Sequence, residues 1–184
     1  SVGRSCHRNL ALLPQQPQAG PIRPPGQKTL VIAQPGLFIT APLQVALNWR
    51  KEAPLWRPGK RVALIAGTEA ERKAAVLSDS DIYLLTYDNA DWLHKYHGGD
   101  WSSFGAMWAA DEASRLKSTR AIWNPDTNTG RPTGGPRTSA LAVHSAQFSQ
   151  YVSATGTPIP NGLTDIWGQA WHIDGGARLC SSYD

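Results

Sequence analysis

Short apolar runs alternate with amphipathic segments along most of this chain. Runs of strand length occupy residues 29–33, 37–41, 61–66 and 81–87, and another one ends at the acidic pair 111–112. Between several of these runs, apolar residues return every three or four positions, which is the period of a helix with one buried face. The alternation predicts right-handed crossovers and an α/β fold, in which a mostly parallel sheet carries helices on both faces.

Local signals predict the limits of the helices in the first half of the chain. The apolar stripe of the first helix, which Pro58-Gly59 ends, consists of Val45, Trp49, Ala53 and Trp56. We interpret its aromatic residues as core packing, because a stripe with this spacing packs far more often than it stacks on bases. Thr68 and Glu71 have the spacing of a capping box, which starts a second helix. A third helix, around residues 92–96, ends at Gly98.

The second half of the chain is less regular. Residues 124–137 contain no apolar residue other than proline and glycine, and we expect a mobile loop there. A helix from Thr138 to about Gln150, a strand over residues 151–155 and an aromatic-rich helix follow. His144 lies within the first of these helices, where packing or surface exposure explains it better than catalysis.

Composition limits the classes of function without choosing one. The 184 residues fit one domain, and 41% hydrophobic with 17% charged residues describe a globular protein. No apolar run is long enough to span a bilayer, so we expect no membrane partner. A net charge of +4 permits a polyanionic partner but does not require one. Cys6 and Cys180 lack metal-ligand spacing, which favours a reducing cytoplasm.

The acidic pair Asp111-Glu112 is the strongest candidate for chemistry. A buried parallel strand before it would place both carboxylates at the strand's carboxyl end, where open α/β sheets bind ligands. One carboxylate can hold Mg²⁺ while the other positions or deprotonates an attacking water. Taken alone, the pair is also explained by two acids that cap a helix beginning near Ala113.

A combination of three motifs is more specific than any one of them. Ala-Pro-Leu at 41–43, Asp-Glu-Ala at 111–113 and Thr-Gly-Thr-Pro at 155–158 stand in this order in one α/β pattern. The set resembles the first RecA-like lobe of superfamily 2 helicases, in particular Swi/Snf-like DNA-dependent ATPases of the kind carried by bacteriophages. The resemblance covers about residues 29–184, after an irregular leader at 1–28.

The resemblance implies ATP and Mg²⁺ as cofactors and gives the acidic pair distinct roles. Asp111 would hold the metal and Glu112 would orient and deprotonate the water. Ser114 stands where relatives often have histidine. Thr157 would help to couple hydrolysis to movement, and Gly156 in the same motif is assigned to the nucleotide site.

The same resemblance implies DNA as a partner, contacted through its backbone. Pro42 lies in the segment similar to motif Ia, and Thr86 and Tyr87 lie in the segment similar to motif Ib. Arg115 and Lys117 are further candidates for contact with the DNA backbone, although basic side chains on a helix more often form only a solvated face.

Two departures from the family pattern limit the activity that we expect. The nearest match to a phosphate loop, residues 25–29, lacks the usual glycine spacing, and it leaves Lys28 and Thr29 as the candidates for binding phosphate. It is either a degenerate remnant or a divergent working loop. The chain ends at Asp184 without a second RecA-like lobe and its arginine finger, so we expect an ATP-binding fragment that is inactive alone. The alternatives are a non-catalytic nucleic-acid or protein interaction module and an unrelated nucleotide-binding enzyme that shares only the sheet.

Overall fold

The computed structural model describes residues 36–124, 129–162 and 164–174. Within this part, a five-stranded parallel sheet is the central element. Its strands, in spatial order, are β2 (Val62–Ile65), β3 (Ile82–Thr86), β1 (Leu37–Ala41), β4 (Met107–Asp111) and β7 (Gln150–Ala154). The predicted α/β fold with a parallel sheet is confirmed. The run at 29–33, Lys28, Thr29 and both cysteines lie outside the described residues.

Helices cover both faces of this sheet. They are α1 (Leu43–Trp56), α2 (Glu69–Leu77), α3 (Ala90–His97), α4 (Pro136–His144) and α5 (Thr164–Asp174). Side chains alternate between the faces along each strand, so Phe38 and Ile39 enter different apolar clusters. Phe38 packs in the cluster that contains Leu93 of α3 and Leu141 of α4, whereas the cluster of Ile39 contains Ala53 of α1.

The predicted helix limits follow from hydrogen bonds that the structure contains. Thr68 Oγ1 accepts from the backbone N–H of Glu71, and Glu71 Oε2 accepts from the N–H of Thr68 at 2.7 Å, which is the predicted capping box. At the end of α3, Gly98 has φ 67° and donates its N–H to the carbonyl oxygen of His94. A left-handed residue of this kind ends a helix with little strain only when it lacks a Cβ.

The apolar stripe of α1 is shorter than predicted, because Trp56 is 80% exposed. A helix of 14 residues is about 21 Å long, whereas a five-residue strand spans about 17 Å. The last turn of α1 therefore extends past the strands that its other turns cover. The expectation of core packing holds for Ala53, which belongs to the Ile39 cluster, and for Trp49, which packs against that cluster, and it fails for Trp56.

The prediction of a loop over residues 124–137 is wrong in part. Arg120–Asn124 (β5) and Thr129–Thr133 (β6) pair as a separate antiparallel ribbon, and α4 begins at Pro136. A two-stranded ribbon is held by main-chain hydrogen bonds, which leave no apolar periodicity in the sequence. The helix that follows ends at His144 rather than near Gln150, and the basic segment after Glu112 forms only the short 3-10 turn Ala113–Leu116.

His144 is a packing residue, as predicted, and it is almost fully buried. Its ring stacks on Trp101 with 4.0 Å between the ring centroids. Its Nδ1 lies 3.2 Å from Oε1 of Gln147, an acceptor, so Nδ1 carries the proton and Nε2 accepts from Nδ1 of His94 at 2.9 Å. A second proton on His144 would break this arrangement, and burial lowers its pKa to about 4.

We expect the buried histidines to make the protein less stable in mild acid. The unfolded chain binds a proton as the pH falls below the usual histidine pKa of about 6.5, whereas folded His144 resists protonation down to about pH 4. Stability is therefore complete above about pH 6.5 and is lost progressively below it. Between about pH 7.5 and about pH 5 the loss is about 2 kcal/mol for His144, and His172, whose pKa burial lowers to about 3, adds a similar loss.

Urea unfolding at several pH values measures this loss. His144→Phe keeps a ring on Trp101 and removes one of the two titrating groups, so the pH-dependent loss is expected to fall by about half. Equal pH dependence in the wild type and the variant would contradict the assignment to His144.

Candidate functional site

Asp111 is the last residue of β4, which lies between β1 and β7 in the interior of the sheet. It pairs in register with Ala154, the last residue of β7. Thr155, Gly156 and Thr157 follow Ala154 directly. Parallel strands end at the same edge of a sheet, so the acidic pair and the Thr-Gly-Thr loop leave neighbouring strands side by side.

Three hydrogen bonds hold Asp111. Its Oδ1 accepts from the backbone N–H of Glu112 at 2.9 Å, and its Oδ2 accepts from Nε1 of Trp49 at 2.8 Å. Its carbonyl oxygen accepts from the hydroxyl group of Tyr87, also at 2.8 Å. Both the carboxylate and the main chain of this residue are thereby oriented by other elements of the fold.

Glu112 adopts the left-handed conformation, with φ 54° and ψ 48°, and is the only non-glycine residue with positive φ in the described part of the chain. For a residue with a Cβ this conformation costs roughly 1–2 kcal/mol. Its side chain makes no capping bond to the turn that follows, and Oδ1 of Asp111 binds only the N–H of its neighbour. Helix capping therefore does not explain the acidic pair. Strained residues of this kind concentrate at functional sites.

Tyr87 and Thr86 are buried, which changes the expectation for the motif Ib segment. Their side chains are 5% and 2% exposed, and Asn89 Nδ2 donates to Oγ1 of Thr86 at 2.7 Å. Burial also raises the pKa of the Tyr87 phenol, so it remains a neutral donor to Asp111. The side chains of both residues are thus unavailable to DNA, and any contact made here is restricted to main-chain groups.

Other predicted DNA-contacting residues lie at the same edge of the sheet. Thr40 pairs in register with Ala110, so Ala41 and Pro42 leave β1 level with Asp111. Pro42 is partly exposed, and Arg115, in the 3-10 turn after Glu112, is exposed. Lys117 is partly buried at the end of the same turn.

The loop after β7 is exposed at both predicted site residues. The N–H of Thr157 binds Oγ1 of Thr155 at 3.2 Å, which shapes the turn. A Cβ added to Gly156 would meet nothing within 4 Å, and the residue does not have positive φ. Neither backbone conformation nor packing therefore requires glycine there, so any requirement would have to come from an approaching molecule.

Trp49 is a site residue that sequence reasoning assigned to packing alone. It lines a groove of about 530 Å³ beside α1, together with Trp56, Glu52 and Asp111. Its contact with Asp111 joins residues 62 positions apart. No local pattern in the sequence predicts a contact between residues so far apart in the chain.

The parallel sheet, its covering helices and the polar loops at its carboxyl edge define a RecA-like α/β lobe. No protein-family model matches the chain. Protein p41 of Acyrthosiphon pisum secondary endosymbiont phage 1 is 38% identical over 152 residues, which are 80% of this chain and 30% of p41. The chain thus spans about a third of the length of this relative.

A solved structure shows the same kind of lobe. The Sulfolobus solfataricus SWI2/SNF2 ATPase core in complex with dsDNA matches with a TM-score of 0.50 and 25% identity, over 76% of this chain and 25% of that one. This likeness supports, at a coarse level, a relation between this chain and the SWI2/SNF2 superfamily. Among the described helices, none is both long and apolar enough to cross a bilayer.

Proposed function

We propose that residues 29–184 form the N-terminal ATP-binding lobe of a DNA-stimulated ATPase of the helicase or translocase kind. The observation that carries the proposal is the pair Asp111-Glu112 at the carboxyl end of an interior parallel strand, beside the Thr-Gly-Thr loop of β7. The likeness to a SWI2/SNF2 ATPase core in complex with dsDNA supports it.

Asp111 is a suitable residue to hold Mg²⁺. Each of its carboxylate oxygens accepts one hydrogen bond, and a carboxylate has about four lone-pair sites, so acceptor sites remain. In the described residues, no three His, Cys, Asp or Glu side chains converge as a metal cage. Mg²⁺ requires none, because it keeps several waters and is bound through one or two carboxylates and substrate phosphates. When bound, the ion would neutralise charge that develops on the phosphates.

The remaining chemistry falls to side chains around Asp111. Glu112 would orient the attacking water and accept its proton, which requires a carboxylate within hydrogen-bond reach of that water. Lys28, Thr29 and Gly156 are the candidates for contacts to ATP, and Thr157 for coupling hydrolysis to movement. A second RecA-like lobe would supply the opposite wall of the nucleotide site.

The DNA-contacting surface would lie along the carboxyl edge of the sheet. Pro42, the main chain at Thr86 and Tyr87, and the basic residues Arg115 and Lys117 all leave strands at this edge. None of them belongs to a helix or ribbon shaped to read bases. Contacts of this kind bind phosphates and carry no sequence information.

We expect DNA binding to be weak, independent of sequence and steeply dependent on salt. Each phosphate that is neutralised contributes a slope of about −0.9 to a plot of log affinity against log salt concentration. Arg115→Gln is expected to reduce the slope by about one. Arg57→Gln, at the opposite end of α1 from Pro42, is the matched control and is expected to change nothing. Fluorescence anisotropy with labelled duplexes, at several salt concentrations, measures the DNA affinity of the wild type and of each variant. Tight binding that does not depend on salt would contradict the proposal.

The proposed function is tested by measuring DNA affinity with and without a non-hydrolysable ATP analogue. The measurement requires a polypeptide in which this chain continues into a second lobe. A motor lobe is expected to show a nucleotide-dependent change of affinity, because the two ligands are coupled through the same protein. Affinity that the analogue leaves unchanged would favour a non-catalytic interaction module instead.

A further inference from the structure

We infer that Trp49 is a positioning residue for Asp111 and thereby ties helix α1 to the metal site. This inference rests on the proposed function, since it concerns the same carboxylate. It assigns Trp49 a role beyond its packing, which is all that the sequence pattern indicates.

Packing fixes the indole ring before the hydrogen bond is considered. Trp49 lies on the face of α1 that covers the sheet, where it packs against the cluster of Ile39 and Leu84. Both of those residues are fully buried. Contact with this buried cluster restricts the movement of the ring and favours one direction for its N–H.

Both oxygens of the Asp111 carboxylate therefore accept a hydrogen bond from a positioned donor. Oδ1 takes the N–H of Glu112 and Oδ2 takes the indole N–H, at 2.9 and 2.8 Å. The terminal torsion of an aspartate is otherwise broad, so two donors on different oxygens fix the plane of the carboxylate. Fixed orientation of a metal-binding carboxylate by an outer donor typically affects metal affinity by about 10- to 100-fold.

The same hydrogen bond connects the metal site to the start of α1. This helix begins at Leu43, directly after Pro42, and Trp49 lies within its second turn. A rigid helix transmits a displacement along its length. Contact between DNA and the segment at Pro42 therefore has a direct structural route to the carboxylate of Asp111.

The alternative is that Asp111 is merely the nearest acceptor for a partly buried indole, which usually finds a partner. Trp49→Phe distinguishes the two roles, because it removes the N–H and keeps an aromatic ring in the cluster. Trp56→Phe is the matched control on the same helix, since Trp56 is largely exposed and lies about 10 Å farther along α1.

The experiment uses the 184-residue chain and Mn²⁺ as a paramagnetic substitute for Mg²⁺. Water-proton relaxation measures Mn²⁺ affinity, and the indole ¹H–¹⁵N signals report which tryptophan lies near the ion. We expect Mn²⁺ to broaden the Trp49 signal before that of Trp56. Trp49→Phe is expected to weaken Mn²⁺ binding about tenfold, Trp56→Phe to leave it unchanged and Asp111→Asn to abolish it.

Asp111→Asn also tests the hydrogen bond without metal. Loss of the charged acceptor is expected to move the Trp49 indole proton upfield while the Trp56 signal stays in place. Thermal unfolding of Trp49→Phe confirms that the variant is folded at the temperature of the metal titration.

The outcomes separate the inference from the proposed function. Mn²⁺ binding that requires Asp111 but is equal in wild type and Trp49→Phe would overturn the role of Trp49 and leave the metal site intact. Mn²⁺ binding to the wild type that does not depend on Asp111 would overturn the proposed metal site, and the role of Trp49 with it. A Trp49 indole signal that Asp111→Asn leaves unmoved would show that the hydrogen bond to Asp111 is absent in solution, and this result would overturn the role of Trp49.

Discussion

Replacement of Gly105 with alanine is expected to remove a large part of the protein's folding stability. Gly105 precedes β4 and has φ 146°, a conformation that residues with a side chain rarely adopt. A Cβ at this position would lie 2.0 Å from the carbonyl oxygen of Gly36, which precedes β1. Both groups in this close approach are main chain, and β1 and β4 are paired at the centre of the sheet. Neither strand can move away from the added Cβ without disturbing that pairing.

Urea unfolding measures the decrease in the free energy of unfolding in Gly105→Ala, which we expect to be about 3 kcal/mol or more. Natural domains have only about 5–15 kcal/mol of stability in total. Gly99→Ala is the matched control, because its nearest neighbour would be 3.9 Å from the new Cβ and the residue does not have positive φ. Similar stability of the two variants would show that the approach of Gly36 to Gly105 does not constrain the sheet.

The second large effect concerns catalysis: the 184-residue chain alone is expected to hydrolyse ATP no faster than background, with or without DNA. Phosphoryl transfer depends on positioning and on charge stabilisation from several elements at once. An arginine finger alone accounts for roughly a thousandfold or more of the rate. This chain covers only 25% of the SWI2/SNF2 core that it resembles, and its segment nearest to a phosphate loop lacks the usual spacing.

Phosphate release by the purified chain, compared with buffer, tests this expectation. The matched control is the same chain with Glu112→Gln, which removes the proposed base and keeps the shape of the side chain. Turnover by the wild-type chain that Glu112→Gln abolishes would mean that Lys28 and Thr29 form a working phosphate site.

Local signals in the sequence were sufficient for most of the fold. Strand β3 follows directly from its apolar run, and the capping box at Thr68 sets the start of α2. The ribbon of β5 and β6 could not be predicted in this way, because main-chain pairing leaves no apolar period. The exposure of Trp56 depends on the length of α1 relative to the strands below it, which is a property of the assembled sheet.

The candidate site was predicted in its position but not in its internal contacts. An apolar run that ends in Asp111 and Glu112 indicates a strand end, and the structure places both residues there. The hydrogen bonds from Trp49 and Tyr87 depend on three-dimensional proximity across many residues. The left-handed conformation of Glu112 also has no sequence signal, since glutamate is not a residue that favours it.

In the motif Ib segment, the structure buries the side chains of Thr86 and Tyr87, which the resemblance assigned to contact with DNA. All five residues of β3 are buried, and Tyr87 continues the buried run. Strands covered on both faces are apolar throughout, so burial up to Thr86 was consistent with the composition of the run. Contact between DNA and this segment stays a prediction, and the burial of both side chains leaves it to main-chain groups.

The proposed function is tested most directly by DNA-stimulated phosphate release from a polypeptide in which this chain continues into a second RecA-like lobe. Wild type and Glu112→Gln are compared after ATP and DNA binding have been measured for each. We expect equal binding and a loss of turnover of at least about 100-fold in the variant, the usual contribution of a general base. Equal turnover of the two proteins would contradict the assignment of Asp111 and Glu112 as the hydrolytic site.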